Sequence, residues 1–386
     1  MEVILGVGMP TKREYLREAL RPPEANIPPQ DCGGLGELKW CKPHLYLNME
    51  KSLKTNRNKV NMMKVVLYPF DITSYNDRIF SIDPNSSLNR DNCRYPFYCL
   101  QEKLNSVGVE IHTPDKYDDL RQCDKLLMFN YDETMAHSMN FLEKKDRILF
   151  IFEPPVVRSD MWGKRALSDF GEYFGKVYTW ADNIIDNMNF FKFNYPQAPP
   201  KEGWPLNDGF NNTGKYLLAL IGSNYRSEYP GELYTFRREI AKHCDMALQG
   251  FHVYGTEWDF CKSNQGGCKD KFSILRDHKF SLVLENSSVR GYISEKIFDS
   301  FFSGCIPVYY GAPNITDYIP ENTFIDLRNF DSIDLLENYL ANMDEDSINK
   351  YRQNILNFLK SDKFYPFSID CFIKTVASAL GVFIDL

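Results

Sequence analysis

Residues 280–311, FSLVLENSSVRGYISEKIFDSFFSGCIPVYYG, gather four side chains suited to an anionic, hydroxyl-rich ligand: Asn286, Tyr292, Glu295 and Lys296. They place an amide, a phenol, a carboxylate and an ammonium around the point where an apolar run ends and a helical pattern begins. A helix N-terminus attracts phosphate through its free N–H groups, Lys296 adds a point charge, and Glu295 or Asn286 can hydrogen-bond sugar hydroxyls. The set suits a ribose and a diphosphate, and spacing alone supports only a nucleotide-diphosphate site. A further candidate is Glu153, at the end of the run RILFIF and followed by Pro154 and Pro155, which stop a strand and disfavour a helix. A carboxylate at a strand end can take a proton across a cleft, and partial burial beside Phe152 would raise its pKa toward working pH. The plainer alternative is a surface glutamate paired with Arg158.

The elements that must position these groups alternate. Residues 280–284 read as a buried strand, followed by a polar turn, a helix opening near Ser294 and a strand over 306–310. In such a βαβ unit ligands sit at the carboxyl ends of the strands. Upstream, the pattern predicts strands over 63–70, 109–112, 125–130 and 147–152, with helices over 97–107 and 134–144. Residues 195–214 hold four prolines and three glycines and read as a linker. A second alternation follows, with strands over 216–221 and 250–254, helices over 231–244 and 269–276, then a strand over 323–326 and a helical tail. This predicts an α/β fold with two Rossmann-like domains facing across a cleft. Residues 1–62 differ, with RPPEANIPPQDCGGLGE, the basic run KSLKTNRNK and one short amphipathic helix over 11–20. They read either as an extension or as an upstream start that the protein itself lacks.

The spacing of Glu285-Asn286, Tyr292, Glu295 and Lys296, followed by PVYYGAPN, resembles the donor-binding signature of the α1,3/α1,4-fucosyltransferases. The resemblance extends more weakly over about residues 216–351. One upstream segment, IFEPPVV, is similar to that family's Glu-Ser-Pro segment, whose Glu is its catalytic base; Pro154 stands in place of the Ser. The segment LLALIGSNYRSEYPGELYTFRREIAKHC resembles the family's strand, Ser-Asn turn and Arg-bearing helix. Ser223 and Asn224 match the turn and Arg237 the phosphate-contacting Arg, with Arg238 and Arg226 as alternatives in register. The residues three and four away from Arg237 are Leu233, Tyr234, Ile240 and Ala241, none acidic, while Glu239 can pair with Lys242, which leaves Arg237 for a ligand. Val253-Tyr254-Gly255 resembles the family's strand-then-glycine element, a pattern any strand and turn would share. Arg290 could reach the donor or be solvated.

The resemblance implies a GT-B fold, with residues 63–205 as the acceptor-side domain, 206–366 as the donor-binding domain and 367–386 as a C-terminal helix. It implies inverting transfer of L-fucose from GDP-fucose to a glycan hydroxyl, α1,3 to N-acetylglucosamine. Glu153 would be the base, Arg237 and Lys296 would neutralise the diphosphate, and Asn286, Tyr292 and Glu295 would hold nucleotide and sugar. The partners expected are the nucleotide sugar and the acceptor glycan, with no cofactor beyond the donor substrate. No metal is expected either, because the only D-x-D string, Asp344-Glu345-Asp346, reads as a helix-start cluster. The rival readings are a glycosyltransferase of the same fold using another donor, and a carbohydrate-binding relative without turnover.

Composition sets the outer bounds. The 386 residues are 43% hydrophobic and 25% charged, the balance of a globular protein with more than one core. A net charge of −7 argues against nucleic acid as a partner, since neutralising phosphates needs a basic face. No window approaches the roughly 18 to 20 apolar residues of a membrane span. The Golgi anchor of many animal relatives is missing, which makes a cytoplasmic protein the expectation. The ten cysteines lack zinc spacing, and free thiols are expected over the bridges Cys93–Cys99 and Cys261–Cys268. Sequons at Asn85, Asn211, Asn286 and Asn314 read as chance matches, and the aromatic run WADNIIDNMNFFKFNYP as core packing rather than a sugar platform. Oligomeric state is not readable.

Overall fold

The structure, a computed structural model, describes residues 62–83, 86–200, 210 and 212–385. The predicted extension with its short helix, and part of the predicted linker, lie outside the described residues.

The first domain is built on β1 (Met63–Tyr68), α1 (Tyr95–Ser106), β2 (Val109–His112), β3 (Lys125–Phe129), α2 (Glu133–Ser138), β4 (Arg147–Ile151), α3 (Lys164–Tyr173), β5 (Lys176–Thr179) and β6 (Phe190–Lys192). Its six strands are parallel, in the order β2-β1-β3-β4-β5-β6. A parallel sheet is covered on both faces, so its strands read as continuous apolar runs, and Leu126 to Phe129 and Ile148 to Ile151 are fully buried. The helix predicted over 134–144 is shorter. Asp132 caps it by accepting from Met135 N, and Ser138 turns its hydroxyl back onto Met135 O, after which the chain leaves helical geometry at Met139. The sequence pattern missed α3, β5 and β6. The two strands are only four and three residues long and sit in an aromatic, Asn/Asp-rich stretch with little periodicity.

The second domain comprises β7 (Tyr216–Ile221), α4 (Tyr234–Ala247), β8 (Phe251–Tyr254), α5 (Lys271–Arg276), β9 (His278–Leu284), α6 (Glu295–Phe302), β10 (Ile306–Tyr310), β11 (Ile325–Asp326), α7 (Ile333–Ala341) and α8 (Glu345–Leu359). Its five strands are again parallel, in the order β11-β10-β9-β7-β8. The central β9 is buried along nearly its whole length and delivers residues 285 and 286 to the cleft. The last helix, α9 (Ile369–Leu380), is capped by Ser368 and stopped by Gly381 at φ 73°. It does not stand apart. Phe372, Ile373, Val376 and Leu380 pack with Phe97, Leu100 and Leu104 of α1 in the core of the first domain. The fold is thus GT-B, two Rossmann-like domains with the chain returning to the first. Among the described residues no helix is long and apolar enough to cross a membrane.

One buried pair makes the second domain sensitive to acid. His278, fully buried, donates from Nδ1 to Ile274 O (2.7 Å), which leaves Nε2 to accept from His252 Nδ1 (3.0 Å). Burial pushes the His278 pKa down to about 4. Its folded pKa lies below that of the unfolded chain, so the unfolded state binds the extra proton and stability falls as pH drops from about 6.5 toward 4, by on the order of 3 kcal/mol at the acid limit. Melting curves at pH 7.5, 6 and 5 should show this loss, and His278→Asn should flatten it. An equal slope in the variant would assign the loss to other groups.

Candidate active site

The site grows from a carboxylate that reaches no solvent. Glu285, directly after β9, is 0% exposed and accepts from Ser294 N (2.8 Å), Ser294 Oγ (2.7 Å) and Lys296 Nζ (3.3 Å). Ser294 is the N-cap of α6, so Glu285 fixes the start of that helix to the end of the central strand. The fit leaves no room beneath it. A Cβ on Gly311, just after β10, would meet Glu285 Cγ at 2.4 Å. Lys296 is held at the helix start and also touches Ser294 Oγ (3.0 Å) and Glu295 Oε1 (3.8 Å). Burial works against its charge, but Glu295 and Glu285 together raise its pKa. The Glu295 side chain is half exposed; burial opposes its ionisation, and Lys296 with Lys271 still brings its pKa down to about 2. The helix start therefore presents one ammonium and one ionised carboxylate.

Arg237 on α4 approaches the same strand end from the other side. The sequence leaves it free for a ligand, but the residue is 4% exposed and Nη2 lies on Leu284 O (2.8 Å), Glu285 O (3.2 Å) and Asn286 Oδ1 (3.3 Å). Its partners are two main-chain carbonyls and an amide oxygen, not acids, and the Tyr234 ring lies 5.3 Å away. Burial lowers its pKa. The alternatives behave differently. Arg238 braces the turn after β7, donating to Asn224 Oδ1 (2.9 Å) and Tyr225 O (3.1 Å), while Arg226 is exposed. Asn224 in turn donates to Glu257 O (2.7 Å), which ties this turn to the one following Tyr254 and Gly255.

Glu153 comes from the first domain. Its segment has left the sheet, and side chains satisfy its backbone. Asn130, in left-handed geometry (φ 60°) after β3, accepts from Phe152 N (2.8 Å) and Glu153 N (3.1 Å). Phe152 O accepts from Trp180 Nε1 (2.9 Å) and the Tyr195 hydroxyl, and Glu153 O from Trp162 Nε1 (3.0 Å). With Pro154 and Pro155 next, nothing in this turn competes for a partner. Burial, then Glu295, raises the Glu153 pKa, while Lys296 and Arg158 pull it back, so the base candidate of one domain and the helix start of the other act on each other's charge. The alternative pairing with Arg158 does not form. That guanidinium bonds Asp160 (2.7 Å) and Tyr131 O (2.8 Å).

Tyr292 packs at the seam between the two domains. It is 3% exposed, and its ring packs 4.7 Å from Trp180 and 6.3 Å from Tyr195, both of the first domain. A second interdomain contact joins Lys271 to Asp299 (2.7 Å) and Asp91 (3.8 Å), with burial pushing the Asp299 pKa up to about 6. Arg290 is exposed and pairs with Asp317 (3.5 Å). Asp344 caps α8 through Ser347 N (2.8 Å), the helix-start role expected of the D-x-D string. Among the described residues one trio, His243, Asp334 and Glu337, offers metal-ligand atoms within 4.8 Å of one another, and it lies where α4 meets α7, not beside Glu153 and Lys296. The eight described cysteines are free thiols.

In the sequence Glu285 carries no marked role and Asn130 only ends a predicted strand, while the run that holds Trp180 and Tyr195 reads as core packing without showing which backbone groups they hold. A strand ending in Asn, the residue most tolerant of left-handed geometry after Gly, was the available signal for Asn130. For Glu285 the expected outcome is structural: Glu285→Gln keeps the shape, removes the charge facing Lys296 and turns an acceptor into a donor, and should cost about 2–4 kcal/mol in urea denaturation. An unchanged midpoint would show that the helix start is held by other contacts.

Residues 215–356 match the model of glycosyltransferase family 10 (fucosyltransferase), C-terminal part. The chain is 37% identical over 74 residues to an α-(1,4)-fucosyltransferase of Arabidopsis thaliana, covering 19% of this chain and 18% of that one. It is 29% identical over 146 residues to the 4-galactosyl-N-acetylglucosaminide 3-α-L-fucosyltransferase 9 of Mus musculus, covering 37% of each. These matches span between about a fifth and two fifths of the relatives' lengths. A crystal structure of an α1,3-fucosyltransferase superposes with a TM-score of 0.48 at 13% identity, covering 86% of this chain and 93% of that one. In the signature around Glu285 and in the family match, residues 215–356 are similar to the C-terminal part of glycosyltransferase family 10, the fucosyltransferases.

Proposed function

We propose that this protein is an inverting fucosyltransferase that moves L-fucose from GDP-fucose to a hydroxyl of an acceptor glycan, forming an α1,3 bond to N-acetylglucosamine. The observation that carries the reading is the meeting of Glu153, with its pKa raised, and the charged helix start at Glu295 and Lys296 of the family 10 domain. Inversion needs one base on the acceptor and stabilisation of the departing diphosphate. Glu153 takes the acceptor proton. Lys296 and the free N–H groups of α6 receive the diphosphate. Arg237 acts through the strand end it holds and lies within reach of the phosphates at the cleft floor, while Asn286 and Glu295 bond hydroxyls of the donor. Tyr292 contributes by closing the wall between the domains. The donor and the α1,3 linkage rest on the family resemblance, and the acceptor class on the mouse relative's name.

In this scheme the cations on the leaving group are side chains and a helix terminus, so transfer should persist in EDTA; loss on chelation with recovery on adding a divalent ion would replace this mechanism with a metal-assisted one. A donor panel scored by nucleotide release, followed by a glycan array with GDP-fucose, tests the function itself. Release from another nucleotide sugar alone would reassign the donor, and GDP binding with no turnover on any acceptor would favour a binding protein.

Two variants separate the roles. Glu153→Gln should lower kcat by about 10²-fold or more with little change in GDP-fucose affinity, because the base acts on the acceptor. The wild-type acid limb should lie above the ordinary glutamate range, the direction in which burial and Glu295 shift this group, and should vanish in the variant. Lys296→Ala should weaken GDP binding by about 1.5–3 kcal/mol in calorimetry, the usual worth of a charge-assisted hydrogen bond.

A further inference from the structure

The loop between Asn286 and Tyr292 leaves the second domain and docks on the turn after β5, and one carboxylate organises the contact. Asp182 accepts from Lys192 Nζ (2.7 Å) and the Tyr318 hydroxyl on Oδ1, and from Asn314 Nδ2 (2.9 Å) on Oδ2. Its backbone N donates to Arg290 O (3.3 Å). Asn314 relays the contact back into the loop, accepting from Gly291 N (2.9 Å). Lys192 also donates to Trp180 O (2.7 Å) and sits 4.6 Å from the Tyr318 ring. The approach is as tight as backbone allows. Gly291 has φ +81°, and a Cβ there would meet Trp180 O at 2.3 Å, so only glycine fits both the conformation and the contact. Lys192 belongs to β6 of the first domain, whereas Asn314 and Tyr318 follow β10 of the second.

We propose that Asp182 is a positioning residue for transfer: by holding the Asn286–Tyr292 loop against the first domain it sets the separation between Glu153 and the helix start at Glu295 and Lys296. The proposal rests on the reading of function above. Asp182 touches neither proposed substrate. Its effect passes through the loop, whose far end lies three residues before Glu295, and a shift of about 1 Å in reacting groups can cost 10²-fold in rate. The groups proposed to hold GDP all belong to the second domain, and the one that borders the loop, Asn286, is held by Arg237 (3.3 Å) and not by Asp182, so loosening the clamp should spare nucleotide affinity while it impairs transfer.

The test compares wild type with Asp182→Asn, which keeps the shape and removes the charge, and with Tyr318→Phe, which removes one donor and leaves the carboxylate. Three quantities are read on each folded protein: kcat for transfer, GDP affinity by calorimetry, and hydrogen exchange of residues 286–292. The expected result is a fall in kcat of about tenfold or more for Asp182→Asn and a smaller fall for Tyr318→Phe, GDP affinity within about twofold, and faster exchange in the loop. Normal kcat, unchanged exchange, or GDP affinity falling in step with kcat would overturn the proposal. If Asp182→Asn does not fold, Tyr318→Phe alone decides by the same criteria. A wild type that transfers nothing, with loop exchange still faster in Asp182→Asn, would overturn the reading of function and support the clamp itself.

Discussion

The constraint on which the donor-side domain depends is the burial of the Glu285 carboxylate. A carboxylate out of water is tolerated only with its hydrogen bonds satisfied, and here Ser294 and Lys296 supply them. That requirement couples three elements: the end of β9, the first turn of α6 and the bare backbone of Gly311 after β10. The same requirement keeps Lys296 charged and aimed, since its ammonium is the counter-charge. Arg237 works on the other side of the strand end, where carbonyls that β9 no longer pairs need donors. The Glu285 carboxylate thus ties the strand end to α6 while Arg237 holds the carbonyls of two consecutive residues, and the ligand-facing surface between them is set by hydrogen-bond satisfaction.

The first domain solves a related problem by different means. Glu153 lies on a turn whose neighbours are prolines, and the turn's backbone groups are met by an asparagine amide, two indoles and a phenol. Aromatic side chains with one polar atom do two jobs here. Their rings fill the seam beside Tyr292, and their N–H or O–H groups hold the segment that carries the carboxylate. Rigidity at Glu153 therefore comes from the interdomain core, so the geometry of the proposed base and the closure of the cleft are not independent quantities.

Much of this was legible in the sequence, for identifiable reasons. Parallel strands covered on both faces leave long apolar runs, so β4, β9 and β10 and the βαβ unit around Ser294 stood out. Serine at a helix start and the doubled proline after Glu153 are local signals that survive folding. What stayed hidden is non-local. The environment of Arg237 was half read: the absence of acids three and four residues away on its own helix showed, but its carbonyl partners lie 47 and 48 residues further on. Tyr292 falls in the loop the pattern points to, and its packing against Trp180 and Tyr195 across the seam shows only in the folded structure. Glu285 looked like part of a polar turn because no linear pattern marks a carboxylate as fully enclosed. β5 and β6 were too short for periodicity to register.

The return of α9 to the first domain has a consequence for how the chain is made. Phe372, Ile373 and Val376 complete a core whose other members, Phe97, Leu100 and Leu104, are translated first. During synthesis the early domain emerges with that groove uncovered and stays so until the whole second domain has followed it out of the ribosome. Until α9 arrives, a nascent chain leaves the apolar surface of α1 uncovered, so the core of the first domain closes only after the second domain has been made.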